Sequence, residues 1–553
     1  MIIEVFLDIL VPLYMAQLID VGIVGRDFHM IKLLCLRILL CGLGALICGG
    51  LGSYLASFGS MGFAADLRQD LYDKVNSYSF TNLDQMRTST LITRITNDVQ
   101  QVAQGLMMIV RGAIRAPLMI IFALIMAYRQ SAKLGSIFFF MIPAIVLCIG
   151  IIMALSLPRF KAAQKALDEV NGVTQENLRA IREVKGFVRE EQQISVFDKI
   201  NQNLRQKNIA AFKIIALAFP SLYSISNIFI GVIFWLGGKM VLGGTFEIGR
   251  LSAFATYCFQ ITFSLIFLSF IFMQISRAKV SGERIVEVFD VESDLREKAD
   301  PVTEISDSTI RFDRVCFRYP FMSADALKEV TFEIKDSQTL GIIGTTGSGK
   351  SSIIQLIPRL YDLRTGSIHI GEHNVKDYAF KTLREDVAIV FQKNELFTGT
   401  VRSNMLWGRG DASDEDIIHA LKAADAYEFV SKLPEGLDAP VERGGSNFSG
   451  GQRQRLCIAR ALVRRPKILI LDDSTSAVDT KTEQRILNSL KTLYPHLTTV
   501  IIAQRISTVE NCDHILVLDE GMIEAQGTHK ELLESSNIYQ IIYDSQKKGV
   551  IAS

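Results

Sequence analysis

Six long apolar runs crowd the first half of the chain, and none follows them. They lie near residues 1–23, 33–57, 105–128, 134–157, 214–242 and 251–275. Each reaches the roughly 20 residues of helix needed to cross a hydrocarbon core. Composition points the same way: 49% of the 553 residues are hydrophobic and 21% charged, with a mean hydropathy of +0.26. A soluble chain carries roughly 25% charge. Disordered, collagen-like and small disulfide-bonded classes are excluded. The formal charge of +1 gives no electrostatic reason to expect a nucleic-acid partner.

The first run lacks a basic leader and a small-residue cleavage site and carries Glu4 and Asp8, unlike a secretory signal. Its abrupt start leaves room for a preceding interfacial helix. Two connections are long and basic, residues 62–104 and 158–213, while 24–32, 129–133 and 243–250 are short. The Lys/Arg excess assigns the long connections, and with them both termini, to the cytosol. Apolar residues at helical spacing (Leu178, Ile181, Val184, Phe187) predict helices running well past the membrane and turning back. Gly42, Gly44, Gly49, Gly50 and Gly52 in the second run read as close helix packing. The eight cysteines show no CxxC or His-containing metal spacing and read as free thiols.

Two charges fall deep within spans. Asp8 lies 12 residues before Asp20, about 18 Å along a helix. Arg115 lies 14 residues before Arg129 on another run. A mutual salt bridge or a water-filled wall is the expectation ahead of cargo contact. The phenylalanines at 254, 259, 263, 267, 270 and 272 are candidates to line an apolar cavity, but most are expected to pack on helices or lipid.

Composition turns polar around 277–308, dividing the chain into a membrane domain (1–285), a linker (286–308) and a soluble domain (309–545). The last alternates short β-rich runs (Ile310–Phe317, Leu340–Gly344, Ala388–Phe391, Ile468–Leu471, Thr499–Ile502, His514–Leu518) with helical stretches at 350–360 and 452–465. Uninterrupted strings such as ILIL suit strands buried on both faces of a largely parallel sheet. The expected fold is an all-α six-helix transmembrane domain followed by an α/β P-loop domain.

Residues 344–351 read GTTGSGKS after a strand and before a helix. Gly344, Thr345, Thr346, Gly347, Ser348 and Gly349 would curl their N–H groups around phosphate oxygens. Lys350 would reach the terminal phosphates, and Ser351, with Ser352 beside it, opens the helix and offers a hydroxyl to Mg²⁺. Asp472, ending the ILIL strand, is placed to supply a further Mg²⁺ oxygen.

The string Phe448-Ser449-Gly450-Gly451-Gln452, running into RQRLCIARALVRRPKILILDD, resembles the signature of ABC transporters. The whole chain resembles an exporter-type half-transporter of that family. The resemblance implies that Tyr319 stacks on adenine and that Gln392 is the glutamine touching Mg²⁺ and the membrane domain. Glu442 would sense the cytosolic loops, and Ser476-Ala477-Val478-Asp479 would form the D-loop. LITRITNDV (91–99) and ENLRAIREVKGF (176–187) resemble the two intracellular loops with coupling helices. Ser449, Gly450, Gly451 and Gln452 would complete ATP on a second subunit, so dimerisation is implied.

Two positions depart from the family, both at the chemistry. Asp473 stands where the general base is normally Glu, and Gln504 where the γ-phosphate is normally met by His. Loss of a methylene withdraws the carboxylate by roughly 1.5 Å, and misplacement by about 1 Å costs 10²-fold. The resemblance therefore implies an ATP- and Mg²⁺-dependent exporter of the bacterial plasma membrane, moving hydrophobic or amphipathic drugs, lipids or peptides. It implies a second half-transporter whose own chemistry is intact, with this chain supplying the impaired site. A slow homodimer and an ATP-gated channel are the alternatives.

Overall fold

The computed structural model describes residues 1–473 and 478–551. Contacts divide it into two units, Met1–Asn76 with Thr88–Asp290, and Ser77–Arg87 with Val291–Ser553. The first unit carries six helices long and apolar enough to cross a membrane: α1 (Ile2–Val24), α2 (Phe28–Asn76), α4 (Thr88–Gln130), α5 (Ala132–Arg179), α7 (Glu190–Leu242) and α8 (Ile248–Asp290). Two short helices join long ones, α3 (Phe80–Gln85) and α6 (Ile181–Gly186). The second loop breaks within the 176–187 stretch. The first breaks at 80–85 instead of 91–99, which continues inside α4. The reason is a capping box at Ser79, whose hydroxyl accepts from the Asn82 N–H while Asn82 returns the bond to the Ser79 N–H.

The packed interior of the first unit is built from α1, α4, α5, α7 and α8, through residues such as Val5, Ile9, Ala123, Phe138 and Phe254. Large apolar side chains on other faces stay exposed, among them Leu46 and Phe140, as lipid-facing surface requires. Of the second-helix glycines, Gly44 and Gly49 meet α1 side chains, whereas Gly42 and Gly50 face open space. All eight cysteines are free. Arg115 bonds Asp8 at 3.0 Å, the expected bridge, and also lies 3.3 Å from Glu4. Outside their apolar stretches, α4 and α8 are clasped by Asp98, which accepts from Ser281 at 2.8 Å and Arg284 Nε at 3.0 Å.

The second unit stacks a four-stranded and a six-stranded sheet, with a two-stranded sheet at Gly399–Thr400 and Pro440–Val441 besides. Strands β1 (Ile310–Phe317), β2 (Leu327–Ile334), β4 (Thr365–Ile370) and β5 (His373–Asn374) form an antiparallel sheet in the order β2-β1-β4-β5. The six-stranded sheet is made of β3 (Thr339–Gly344), β6 (Val387–Val390), β7 (Ile468–Asp472), β8 (Thr498–Ile502), β9 (His514–Asp519) and β10 (Met522–Gly527). Their order is β10-β9-β3-β8-β7-β6, parallel except for β10. Every residue of β7 and β8 is buried. Ile468 and Ile470 enter one core while Leu469 and Leu471 enter the other, as the two-residue period of a strand dictates.

Candidate nucleotide site

Parallel pairing of β3, β8 and β7 brings three chain segments to the same end of the sheet. Beyond β3 the chain turns through Gly344, Gly347 and Gly349 into α9 (Lys350–Leu356). Gly349 has φ +95°, and a Cβ there would lie 2.6 Å from the Ala326 carbonyl oxygen. Only glycine fits that turn. Lys350 Nζ donates to the Gly344 and Thr345 carbonyls at 3.0 and 2.6 Å and approaches Ser348 Oγ at 3.4 Å. Burial pushes its ammonium below the ordinary lysine range, against the pull of Asp473 and Asp472. Thr345 is tied to Asp519 at 3.0 Å. Thr346 keeps its expected place in the loop.

Ser351 Oγ lies 3.4 Å from Asp472 Oδ1, two hard oxygens of the kind Mg²⁺ prefers. Burial raises the Asp472 carboxyl above its ordinary range, opposed by Ser351. The next residue leaves the strand in a left-handed turn, Asp473 φ +47°, a region aspartate tolerates better than most side chains. Its N–H bonds the Ile502 carbonyl at 3.0 Å, which places it beside the segment leaving β8. Gln504 Nε2 donates to Asp473 Oδ2 at 2.9 Å, and Gln392 Nε2 reaches the same oxygen at 3.3 Å. The two departures from the family pattern are thus bonded to each other. Burial raises the Asp473 carboxyl, with both amides pulling it back. The loop conformation and the paired Ser351 and Asp472 oxygens fit ATP with Mg²⁺, which when bound neutralises phosphate charge.

Tyr319 donates to Gln355 at 2.8 Å, shares a 3.2 Å hydrogen bond with Ser352, and meets Tyr361 edge-on with ring centroids 5.4 Å apart. Tyr361 in turn donates to Asp84 on α3 at 2.7 Å and stacks edge-on against Phe80. Burial and the Asp84 carboxylate push the Tyr361 hydroxyl upward. The sequence reading missed this residue, since nothing in LYDLR announces a partner 277 positions away.

Ser449 and Gln452 stand apart from the lysine loop's bonds. They cap α10 (Gly450–Val463) reciprocally, Ser449 N–H to Gln452 Oε1 at 2.9 Å and Gln452 N–H to Ser449 Oγ at 3.3 Å. Gly450 and Gly451 open that helix. Phe448 is buried against Phe429. Glu442 accepts from Ser446 at 2.8 Å. Ser476 and Ala477 lie outside the described residues, while Asp479 caps α11 (Thr480–Leu493).

A phosphate-binding lysine loop beside a strand-end aspartate, on a chain with six membrane-length helices, defines an ATP-driven membrane transport protein. Residues 1–265 match the family model for the ABC transporter transmembrane region, and residues 327–476 the model described as ABC transporter. The ABC transporter ATP-binding protein YfiB of Bacillus subtilis (strain 168) is 38% identical over 99% of this chain and 95% of that protein. A Staphylococcus aureus (strain NCTC 8325 / PS 47) protein named for multidrug export, a role its name marks as unproven, is 32% identical over 89% of this chain and 86% of its own length. The fold is similar to a bacterial Atm1-family ABC exporter with ATP bound, with a TM-score of 0.81, 23% identity, and coverage of 98% of this chain and 96% of that one. The chain belongs to the ABC transporters, as an exporter-type half-transporter. It is a multi-pass integral membrane protein with its nucleotide-binding domain in the cytosol.

Proposed function

We propose that this chain is the subunit of a heterodimeric ABC exporter that carries the weakly hydrolysing nucleotide site. The observation that carries the reading is the Gln504–Asp473 bond of 2.9 Å, reinforced by Gln392. A general base must present its carboxylate to the attacking water. Here the carboxylate is one methylene short and accepts hydrogen bonds from two amides. Gln504 can bond a phosphate but brings no imidazolium charge.

The remaining parts of a working ATPase are present. Gly344–Ser352 would hold the phosphates and Tyr319 the base. Ser351, Asp472 and Gln392 would hold Mg²⁺, and Ser449–Gln452 would face a nucleotide on the second half-transporter. ATP would favour the closed pair of nucleotide domains and so shift the membrane helices outward. The cargo would be a small hydrophobic or amphipathic molecule entering from the cytosol or inner leaflet, in keeping with the multidrug-export name of one relative.

The test is ATP turnover of the purified full chain, alone and mixed with half-transporters carrying Glu and His at the corresponding positions. The expected result is slow turnover alone and full turnover with one such partner. Turnover by the chain alone on the order of 1–10 s⁻¹ overturns the reading in favour of a homodimer.

A further inference from the structure

Gln504 is gripped from two sides, and only one of them is the nucleotide site. Its side chain donates to Asp473 at 2.9 Å. Two residues on, the short helix α12 (Ile506–Val509) begins. The first N–H groups of a helix have no carbonyl of their own helix to bond. The Ile506 N–H donates instead to Gln546 Oε1 at 2.9 Å, and Gln546 Nε2 donates to the Gln504 carbonyl at 2.8 Å. A main-chain donor and a main-chain acceptor fix which end of that amide carries the oxygen. One side chain thus pairs with the backbone on both sides of Arg505, from 40 and 42 positions away.

Gln546 lies on α13 (Asn537–Ile551), and that helix is fastened by bonds of its own. Tyr539 is fully buried, and its hydroxyl shares a 2.7 Å hydrogen bond with His529. Ser536 Oγ donates to Glu524 at 2.7 Å and accepts from the Tyr539 N–H at 3.2 Å. Tyr543, one turn further, meets His529 edge-on with ring centroids 5.7 Å apart. Tyr539, Tyr543 and Gln546 follow the i, i+4, i+7 spacing of one helix face, so the anchored face also carries the amide. Tyr543, Gln546, Gln504 and Asp473 line one cavity of about 880 Å³.

We infer that Gln546 is a positioning residue of the nucleotide site: by pinning the main chain on both sides of Arg505 to an anchored helix, it keeps the Gln504 amide on Asp473. The coupling runs both ways. Whatever holds the Gln504 side chain also holds the Ile506 N–H on Gln546, and releasing either end loosens the other. The inference deepens the reading of a weakly hydrolysing site and rests on the Gln504–Asp473 bond, but not on the presence of a second half-transporter.

The test is hydrogen exchange of the full chain in a neutral maltoside detergent, read at the Ile506 amide, together with phosphate release under Mg-ATP. Gln546→Ala removes both bonds and is expected to speed exchange at Ile506 by about tenfold. Gln504→Ala leaves both main-chain bonds in place and is still expected to speed it by about threefold, the worth of one hydrogen bond. Gln546→Glu keeps the acceptor but loses the donor, and is expected to fall between the unaltered chain and Gln546→Ala. Unchanged exchange in β7 and β8 certifies each variant's fold. In phosphate release, Gln546→Ala is expected to raise kcat by about threefold with KM within about twofold, because Asp473 is freed to meet water. In a Gln504→Ala chain it is expected to add nothing, whereas a merely structural role would act alike in both. Exchange at Ile506 that ignores Gln504→Ala overturns the proposal at any turnover, as does an equal kcat effect in the two backgrounds. A fast unaltered chain counts against the heterodimer and leaves the exchange result standing, and failure here leaves the heterodimer untouched.

Discussion

Replacing Asp473 with Glu and Gln504 with His in the same chain reverses both departures at once. The structure sets the expected size of the effect. Asp473 Oδ2 is bonded by Gln504 at 2.9 Å and Gln392 at 3.3 Å, so the base is short and engaged. Extending the side chain by about 1.5 Å corrects a misplacement for which 1 Å alone costs about 10²-fold, or about 2.7 kcal/mol of barrier. The substitution has a cost, because residue 473 sits at φ +47°. Glutamate tolerates that region less well than aspartate, by about 1 kcal/mol. The assay is phosphate release at saturating Mg-ATP, with a Lys350→Ala chain as background. The double variant is expected to turn over at least about 10²-fold faster than the unaltered chain, at slightly lower stability. If it binds ATP as tightly as before and turnover stays within about twofold, far short of that gain, the Asp473–Gln504 pair is not what limits hydrolysis.

Tyr319→Ala is expected to weaken ATP binding by about tenfold, the lower part of the range for loss of an aromatic–base stack, read by titration with a fluorescent ATP analogue. The Asp472 carboxyl, raised by burial, must be charged to ligate Mg²⁺. The Mg²⁺-dependent part of ATP affinity is therefore full above its raised pKa and lost on acidification through it, starting at higher pH than for an aspartate at the ordinary 3.8. The stability of the nucleotide-free chain shifts oppositely, gaining as Asp472 takes up its proton. Titrations with and without Mg²⁺ across acidic pH check both signs. Tyr361→Phe keeps the ring but deletes the bond to Asp84, and is expected to cost about 1–2 kcal/mol in denaturant unfolding with nucleotide affinity unchanged. Asp98→Ala removes the acceptor shared by Ser281 and Arg284. Arg284 is partly exposed, so the expected loss is about 1–3 kcal/mol, not the larger cost of a fully buried pair.

The six spans, the lysine loop and the strands around it are legible in the amino-acid order alone, because each is written in local terms. A span needs about 20 apolar residues in a row, and a phosphate loop needs glycines at fixed offsets. The ILIL and TVII strings could be read as doubly buried strands for the same reason. Strands β2, β4 and β10 were not legible: LKEVTFEI and MIEAQG mix charge with apolar residues because one face is exposed. The sequence could name Asp473 and Gln504 as departures, but not that they touch. Their contact exists because β7 and β8 pair in parallel and end at the same level, joining residues 31 positions apart. Glu4 was legible as a charge, and its four-residue spacing from Asp8 puts both on one helix face. Whether one arginine must serve both carboxylates was settled only by the packing of α1 against α4. Burial and proximity are properties of the folded chain, and they decide which charges are compensated.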